Sequence, residues 1–202
     1  MKTKCKALLL ALCAVSLVTA SVLGTMAYLT STDNVENTFT VGSVAITMDE
    51  TDVDNSSPDK NRDQANSYKL LPGQTYTKDP IIHVDPKSEE CFLFVKVENG
   101  IAAIEANDNT VASQMTKKGW KLVEGNVYVY VGTENGASAP VAVKANATIP
   151  VFEKIKIADS VSGTQLADYK GKTITVTAYA VQKAGFENMA AADIWNTAFP
   201  AA

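Results

Sequence analysis

The chain has 202 residues, a formal net charge of −4, 46% apolar residues and 20% charged residues. This balance is typical of a globular protein and excludes a disordered tail. An acidic chain does not attract nucleic acid or anionic lipid through its net charge, so we expect no nucleic-acid partner.

The N-terminus, residues 1–27, predicts a signal peptide. Three lysines precede an apolar stretch over residues 7–29, whose length lies between the ~7–15 residues of a signal-peptide core and the ~20 residues of a membrane span. Thr25 and Ala27 are small, as a signal peptidase requires before its cleavage site, and the chain turns polar directly after this stretch. We predict cleavage between Ala27 and Tyr28, with a retained membrane anchor as the alternative.

Cleavage would leave one cysteine in the exported domain. Cys5 and Cys13 leave with the leader, so Cys91 remains alone. Without an intramolecular disulfide, an extracellular domain must be held together by burial of apolar residues. A chain near ~150 residues suffices, because it buries roughly 68–70% of its unfolded surface. We expect membrane association only through the leader before cleavage.

Residues 28–38 predict an N-terminal arm that lacks a continuous strand pattern, followed by a strand that begins near Phe39. A free arm of this kind can pair with the open sheet edge of another subunit and act as a donor strand. The alternatives are a frayed terminus and a strand in the arm's own sheet.

The remaining domain, residues 39–202, shows the period-two alternation of β-strands. The predicted strands are residues 44–48, 81–84, 91–97, 120–123, 127–131, 141–143, 151–157 and 173–181. Turn-forming residues separate them, which favours an antiparallel β-sandwich or jelly roll. We also predict one or two short helices. One lies at residues 101–106 or in part of the stretch to Met115, and the other lies at residues 188–198.

A polar insertion rich in aspartate covers residues 49–66. Oxygen-rich loops can bind calcium, but an EF-hand spacing that begins at Asp52 places Ser57 where glycine is needed and Lys60 among the ligands. We predict a solvated, flexible loop and no metal site.

The sequence offers few residues for catalysis. His83 is the single histidine, which excludes the two-histidine motif of zinc peptidases. Cys91 is the first residue of an apolar strand face. We therefore expect it to be buried and inert, and not to form a nucleophilic pair with His83. Glu89 and Glu90 are sequence neighbours before a strand, so their side chains diverge. We predict no catalytic residue, no cofactor and no enzyme.

Several sequence blocks resemble the TasA/camelysin-like family of secreted surface and biofilm-matrix proteins, and in particular exported relatives whose leaders are cleaved by a SipW-type signal peptidase. The blocks are LGTMAYLT at 23–30, NTFTVG at 37–42, LPG at 71–73, KDP at 78–80, SEECFLFVKV at 88–97 and TAYAVQ at 177–182. The resemblance implies a jelly-roll domain and, for fibre-forming members, polymerisation by donor-strand exchange. Camelysin relatives have been described as metallopeptidases, an activity for which this sequence has no visible site.

Together these patterns predict a secreted structural protein of the cell surface or biofilm matrix. Its partners would be further copies joined head to tail, or related matrix proteins, together with the SipW-type signal peptidase. The assembly arm would be carried by Tyr28, Leu29, Val35 and Phe39. The alternatives are a monomeric exported binding domain that uses loops such as residues 49–66 and, least favoured, a secreted hydrolase.

Overall fold

The computed structural model describes Cys13 and residues 42–58, 61–134 and 136–200. The predicted leader, apart from Cys13, and the predicted arm therefore lie outside the described residues. The described strands and helices all belong to one unit, residues 41–202.

Ten strands form antiparallel sheets in the described part of the chain. Sheet 1 has the order β2-β1-β4-β8, sheet 2 has the order β10-β5-β7-β6, and β3 pairs with β9 in a small third sheet. The strands are β1 (Ile46–Thr51), β2 (Arg62–Asp63), β3 (Thr75–Thr77), β4 (Ile81–Val84), β5 (Cys91–Asn99), β6 (Trp120–Glu124), β7 (Val127–Tyr130), β8 (Thr148–Pro150), β9 (Lys154–Lys156) and β10 (Ile174–Gln182). The prediction of a mainly β, antiparallel fold is confirmed.

Short helices lie between the strands and after the last strand. They are the 3-10 helix Ala102–Ile104 and the α-helices α1 (Val111–Lys117), α2 (Gly163–Ala167) and α3 (Ala191–Ala198). The prediction of one or two helices was too low, because α2 has only five residues and shows no helical periodicity. Its signal was a capping box, in which the Ser162 hydroxyl accepts from the Gln165 amide and the Gln165 side chain accepts from the Ser162 amide. No helix among the described residues is both long and apolar enough to cross a membrane.

Sheets 1 and 2 pack face to face over a shared apolar core. Alternate residues of β5, from Cys91 through Leu93 and Val95, are 0% exposed there, and they share the cluster with Ile82 and Val84 of sheet 1. Burying such side chains contributes roughly 1.5–3 kcal/mol each. This packing is consistent with a β-sandwich, and the jelly-roll connection stays a prediction.

The opposite face of sheet 2 is covered by α3. Phe94 on β5 and Tyr179 on β10 both contact Trp195, with ring centroids 5.5 and 5.0 Å apart. Aromatic pairs at these separations add to the free energy gained from burial alone. Because sheet 2 is buried on both faces, β5 is apolar and buried at every position from Cys91 to Val95.

Three predictions from the pattern were wrong in detail. Residues 141–143 form no strand and provide only an isolated bridge between Val143 and Cys91. The predicted strand at residues 151–157 is shorter than expected: Val151 and Phe152 are fully buried but lie between strands, and β9 begins only at Lys154. The polar insertion is not wholly solvated either: β1 extends to Thr51, and Glu50 is 4% exposed. An apolar run in the sequence can be a buried loop as well as a strand, and a polar run can contain a buried ion pair.

We predict that the Cys91 thiol is inert in the native protein. Burial leaves it 0% exposed and raises the pKa of the Cys91 thiol to about 11. A thiol reagent at neutral pH should leave the Cys91 peptide unlabelled until denaturant is added, as measured by mass spectrometry of that peptide. Cys91→Ala should lower the free energy of unfolding by ~1–3 kcal/mol through a small cavity. Rapid labelling of the native protein would contradict this assignment.

Candidate functional site

A groove of about 960 Å³ lies between the two packed sheets. Residues 46–50 of β1 form one wall, and residues 173–178 at the start of β10 form the other. Residues 63–70 and Lys78 close part of it. We call this space the edge groove, because β10 is the edge strand of sheet 2 and β1 is covered by β2 only at Glu50 and Thr51.

The wall formed by β10 has an open backbone edge. β10 pairs with β5 along its whole length, and no other described strand pairs with it. The Gly100 amide donates to the Thr173 carbonyl, and the Lys183 amide donates to the Glu90 carbonyl, so odd-numbered residues of β10 face β5. Successive residues direct their backbone polar groups to opposite sides of a strand. The even-numbered residues of β10 therefore direct their amides and carbonyls toward the edge groove.

The wall formed by β1 has a second open edge. β1 pairs with β4 from Ile46 to Asp49, whereas β2 reaches it only at Glu50 and Thr51. The Asp85 amide donates to the Ala45 carbonyl at 3.0 Å, so the same alternation directs the backbone groups of Ile46 and Met48 away from β4. Two open edges therefore flank one groove, and an open edge is a template for a further strand.

The floor of the edge groove is apolar and only half covered. Ile46 and Met48 of β1 pack against the shared core together with Val176 and Ala178 of β10, and all four are half-buried. These residues are also the ones whose backbone groups face the groove. An extended segment placed here would find backbone partners and apolar contacts in the same position.

A buried polar cluster closes one end of the edge groove. The Glu50 carboxylate accepts from Lys78 Nζ at 2.7 Å through Oε2 and from Asn66 Nδ2 at 3.1 Å through Oε1. The Glu50 and Lys78 side chains are 5% and 12% exposed. Charges this deeply buried are tolerated only when they are paired and hydrogen-bonded, and both conditions are met here.

Tyr68 lies beside this cluster and lines the groove. Its hydroxyl donates to the Thr77 carbonyl at 2.9 Å. Burial, followed by the negative charge of Glu50, raises the pKa of Tyr68. Tyr68 therefore stays a neutral hydrogen-bond donor throughout the physiological range of pH.

The aspartate loop brings three carboxylates together. Asp52, Asp54 and Asp63 have oxygens within 4.8 Å of one another. The Ser56 hydroxyl donates to Asp63 at 2.6 Å, and the Ser56 amide donates to Asp52 and Asp54. Hydrogen bonds lower the pKa of Asp54 and the pKa of Asp63, and the largest contribution in both cases comes from the Ser56 side chain. These contacts organise the loop, and the expected absence of a metal stays a prediction.

The residues that the sequence singled out do not meet in one described site. His83 lies on the outer face of β4, where its Nε2 is 3.2 Å from Asp49 Oδ1, whereas Cys91 lies in the core. The residues predicted for cleavage and assembly all lie outside the described residues: Thr25, Ala27, Tyr28, Leu29, Val35 and Phe39. Sequence analysis missed the edge groove and the Glu50 cluster. Glu50 stands directly after Asp49 at the start of the acidic insertion, so nothing in the sequence distinguished it from the solvated carboxylates around it.

Comparisons with known proteins give no match. No family model, no curated protein and no solved structure matches this chain. The resemblance of the sequence blocks to the TasA/camelysin-like family therefore stays a prediction.

Amide hydrogen exchange should alternate along β10. We predict slow exchange at Thr175 and Thr177, whose amides face β5, and fast exchange at Val176 and Ala178, whose amides face the open edge, because unpaired amides are not protected. The measurement is exchange followed by NMR on protein that begins at Gly42. Uniformly slow exchange would show that another strand covers this edge.

Proposed function

We propose that the protein is an exported structural subunit of a cell surface or extracellular matrix, which polymerises when the N-terminal arm of one copy enters the edge groove of the next. The observation that carries this proposal is the pair of open strand edges above a half-covered apolar floor. The jelly-roll connection and the kinship with TasA/camelysin-like proteins are part of the same proposal.

The sequence of the arm suits an extended segment in such a groove. Leu29, Val35 and Phe39 are separated by even numbers of residues, as is Val41. In a strand these side chains point to one face, which they share with Ser31, Asp33 and Asn37, while every residue of the other face except Tyr28 is polar. The arm therefore offers apolar anchors to the groove floor and polar side chains to the solvent.

The arm is long enough for this role. At roughly 3.3 Å per residue, the eleven residues 28–38 span about 36 Å, whereas the six residues 173–178 of the groove wall span about 20 Å. Some residues remain to bridge from one copy to the next. The groove therefore does not require the whole arm.

The arm is acidic, and the groove is basic beside the start of β10, whereas its opposite wall carries Asp49 and Asp63. Residues 28–41 include Asp33 and Glu36 and no basic residue. Lys170 and Lys172 line the groove beside the start of β10, and both are exposed. Exposed pairs of this kind add little free energy, but they favour encounter and orientation of the incoming segment.

The contact is heterologous, because the arm and the groove are different surfaces of the same chain. Such head-to-tail contacts produce filaments unless the rotation closes a ring. A retained leader would hold the arm at the membrane, so cleavage would start assembly.

Assembly should depend on the arm and on the groove floor. Protein that begins at Tyr28 should form filaments in electron micrographs, whereas deletion of residues 28–37 should give folded monomers by light scattering. Val176→Lys should also give monomers, because it places a charge in the apolar floor. The matched control is Thr175→Lys, whose exposed side chain lies on the other face of β10 and opposite Glu98, and this variant should still polymerise.

Identical monomers from the Tyr28 protein and from the deletion would contradict the assembly proposal. A stable monomer that binds a foreign peptide in the groove would instead support the exported binding domain. A synthetic peptide of residues 28–41 should compete with assembly, and a peptide of the same composition in scrambled order should not.

Processing should create the free arm. We predict that protein collected from the culture medium begins at Tyr28, because Thr25 and Ala27 are small residues in the positions that the peptidase contacts. N-terminal sequencing measures this. A start beyond Thr32, or an intact Met1, would contradict the prediction, and Ala27→Arg should abolish release.

A further inference from the structure

The buried cluster at the end of the edge groove holds the groups that an intramolecular acyl transfer requires. Lys78 supplies a primary amine and Asn66 supplies a carboxamide. The two oxygens of Glu50 contact them separately, at 2.7 Å to Lys78 Nζ and 3.1 Å to Asn66 Nδ2. A single carboxylate therefore bridges a nucleophile and the leaving nitrogen of an acyl group.

Hydrogen bonds to three neighbouring residues fix the orientation of the Asn66 carboxamide. Its Oδ1 accepts from the Val53 amide at 2.7 Å, and its Nδ2 also donates to the Thr51 carbonyl at 2.9 Å. A backbone amide on the carbonyl oxygen stabilises the negative charge that develops there when a nucleophile adds. The nitrogen that must leave lies against the carboxyl group that can protonate it.

The chain segments that carry these groups are tied together. Both oxygens of Asp79 accept hydrogen bonds from Thr51, one from its amide and one from its hydroxyl, each at 2.8 Å. Asp79 directly follows Lys78, and Thr51 directly follows Glu50. This double contact holds the amine and the carboxylate in register, which lowers the entropic cost of their reaction.

We propose that Lys78 and Asn66 form a side-chain amide bond within the chain, with Glu50 as the general base and then the general acid. Glu50 takes a proton from the Lys78 ammonium, and the amine lone pair then forms a bond to Cγ of Asn66. The carbonyl electrons move to Oδ1 beside the Val53 amide.

The tetrahedral intermediate collapses when the bond from Cγ to Nδ2 breaks. Lys78 Nζ gives up two protons in all, and both leave with Nδ2 as an ammonium ion. Glu50 returns to the carboxylate, and the protein loses one positive charge. The reaction is an acyl transfer that needs no oxidant, reductant or further reactant.

Burial favours this step over hydrolysis. The side chains of Glu50 and Lys78 are 5% and 12% exposed, which limits the access of water as a competing nucleophile.

The bond would fasten the end wall of the edge groove. It would join residue 66, at the end of the aspartate loop, to residue 78, just before β4. Force applied to this end of the groove would then meet a covalent link between two segments that otherwise meet through their contacts with Glu50. This inference does not depend on polymerisation, because the bond lies within one chain.

The experiment is mass spectrometry of the full chain purified from expressing cells. The intact monomer should be lighter than its sequence by the mass of one ammonia molecule. Trypsin cleaves after Arg62, Lys69, Lys78 and Lys87 in the unmodified chain, but an acylated Lys78 resists cleavage. The digest should therefore contain one branched peptide in which residues 63–69 are joined to residues 70–87.

Two variants test the roles of the residues. Lys78→Arg removes the acylatable amine, and Glu50→Gln keeps the shape of the side chain but removes the base. Both should show the full mass and a separate peptide of residues 63–69. Separate, unmodified peptides of residues 63–69 and 70–78 from the parent protein would overturn the proposal. A branched peptide in Glu50→Gln would overturn the role of Glu50. Neither result depends on whether filaments form, so this proposal and the assembly proposal fail separately.

Discussion

The edge groove depends on backbone amides and carbonyls that have no strand partner among the described residues. A β-strand satisfies its amides and carbonyls through its neighbours, and β10 has a neighbour among the described residues on one side only. β1 likewise has a neighbouring strand on one side only over Ile46–Asp49, which β2 does not reach. Natural sheets usually protect such edges with charges, proline or a covering loop. Here the residues at both edges direct apolar side chains, such as Met48 and Val176, into the space between the edges. An edge with these properties is suited to receive a strand.

Rigid packing behind the open edges keeps them in place. Sheet 2 is covered on its inner face by sheet 1 and on its outer face by α3, so β10 is held by β5 along nine residues and by Trp195 through Tyr179. On the side away from β10, β5 pairs with β7. Local opening of β10 would break these contacts together, and such an element belongs to the stable part of a fold. The groove can therefore stay formed while it is empty, which reduces the cost of ordering when a segment binds.

Sequence patterns identified the strands well and the site poorly, for physical reasons. Alternation over β5 and β10 is a local property of the chain, so these strands could be predicted nearly to their ends. Strand order is not local, and only strand order determines that β10 and β1 have open edges. The partners Glu50 and Lys78 are 28 residues apart, and nothing in either segment alone indicates that they meet. Val151 and Phe152 misled the prediction because a buried loop and a buried strand have the same composition.

The polar cluster holds together one end of the edge groove. In the proposed assembly, the groove must stay open to receive a strand. Two open strand edges lack the hydrogen bonds and packing that normally hold sheet edges together. At the closed end, the segment from Thr51 to Asn66 and the segment that carries Lys78 and Asp79 meet through charge-assisted hydrogen bonds, which are stronger than neutral ones. Removing one partner would leave a buried charge without compensation, so the cluster is far more costly to break than an exposed ion pair. In the proposed assembly, the open edges would accept another chain while this end of the groove is held by interactions that do not involve the open edges themselves.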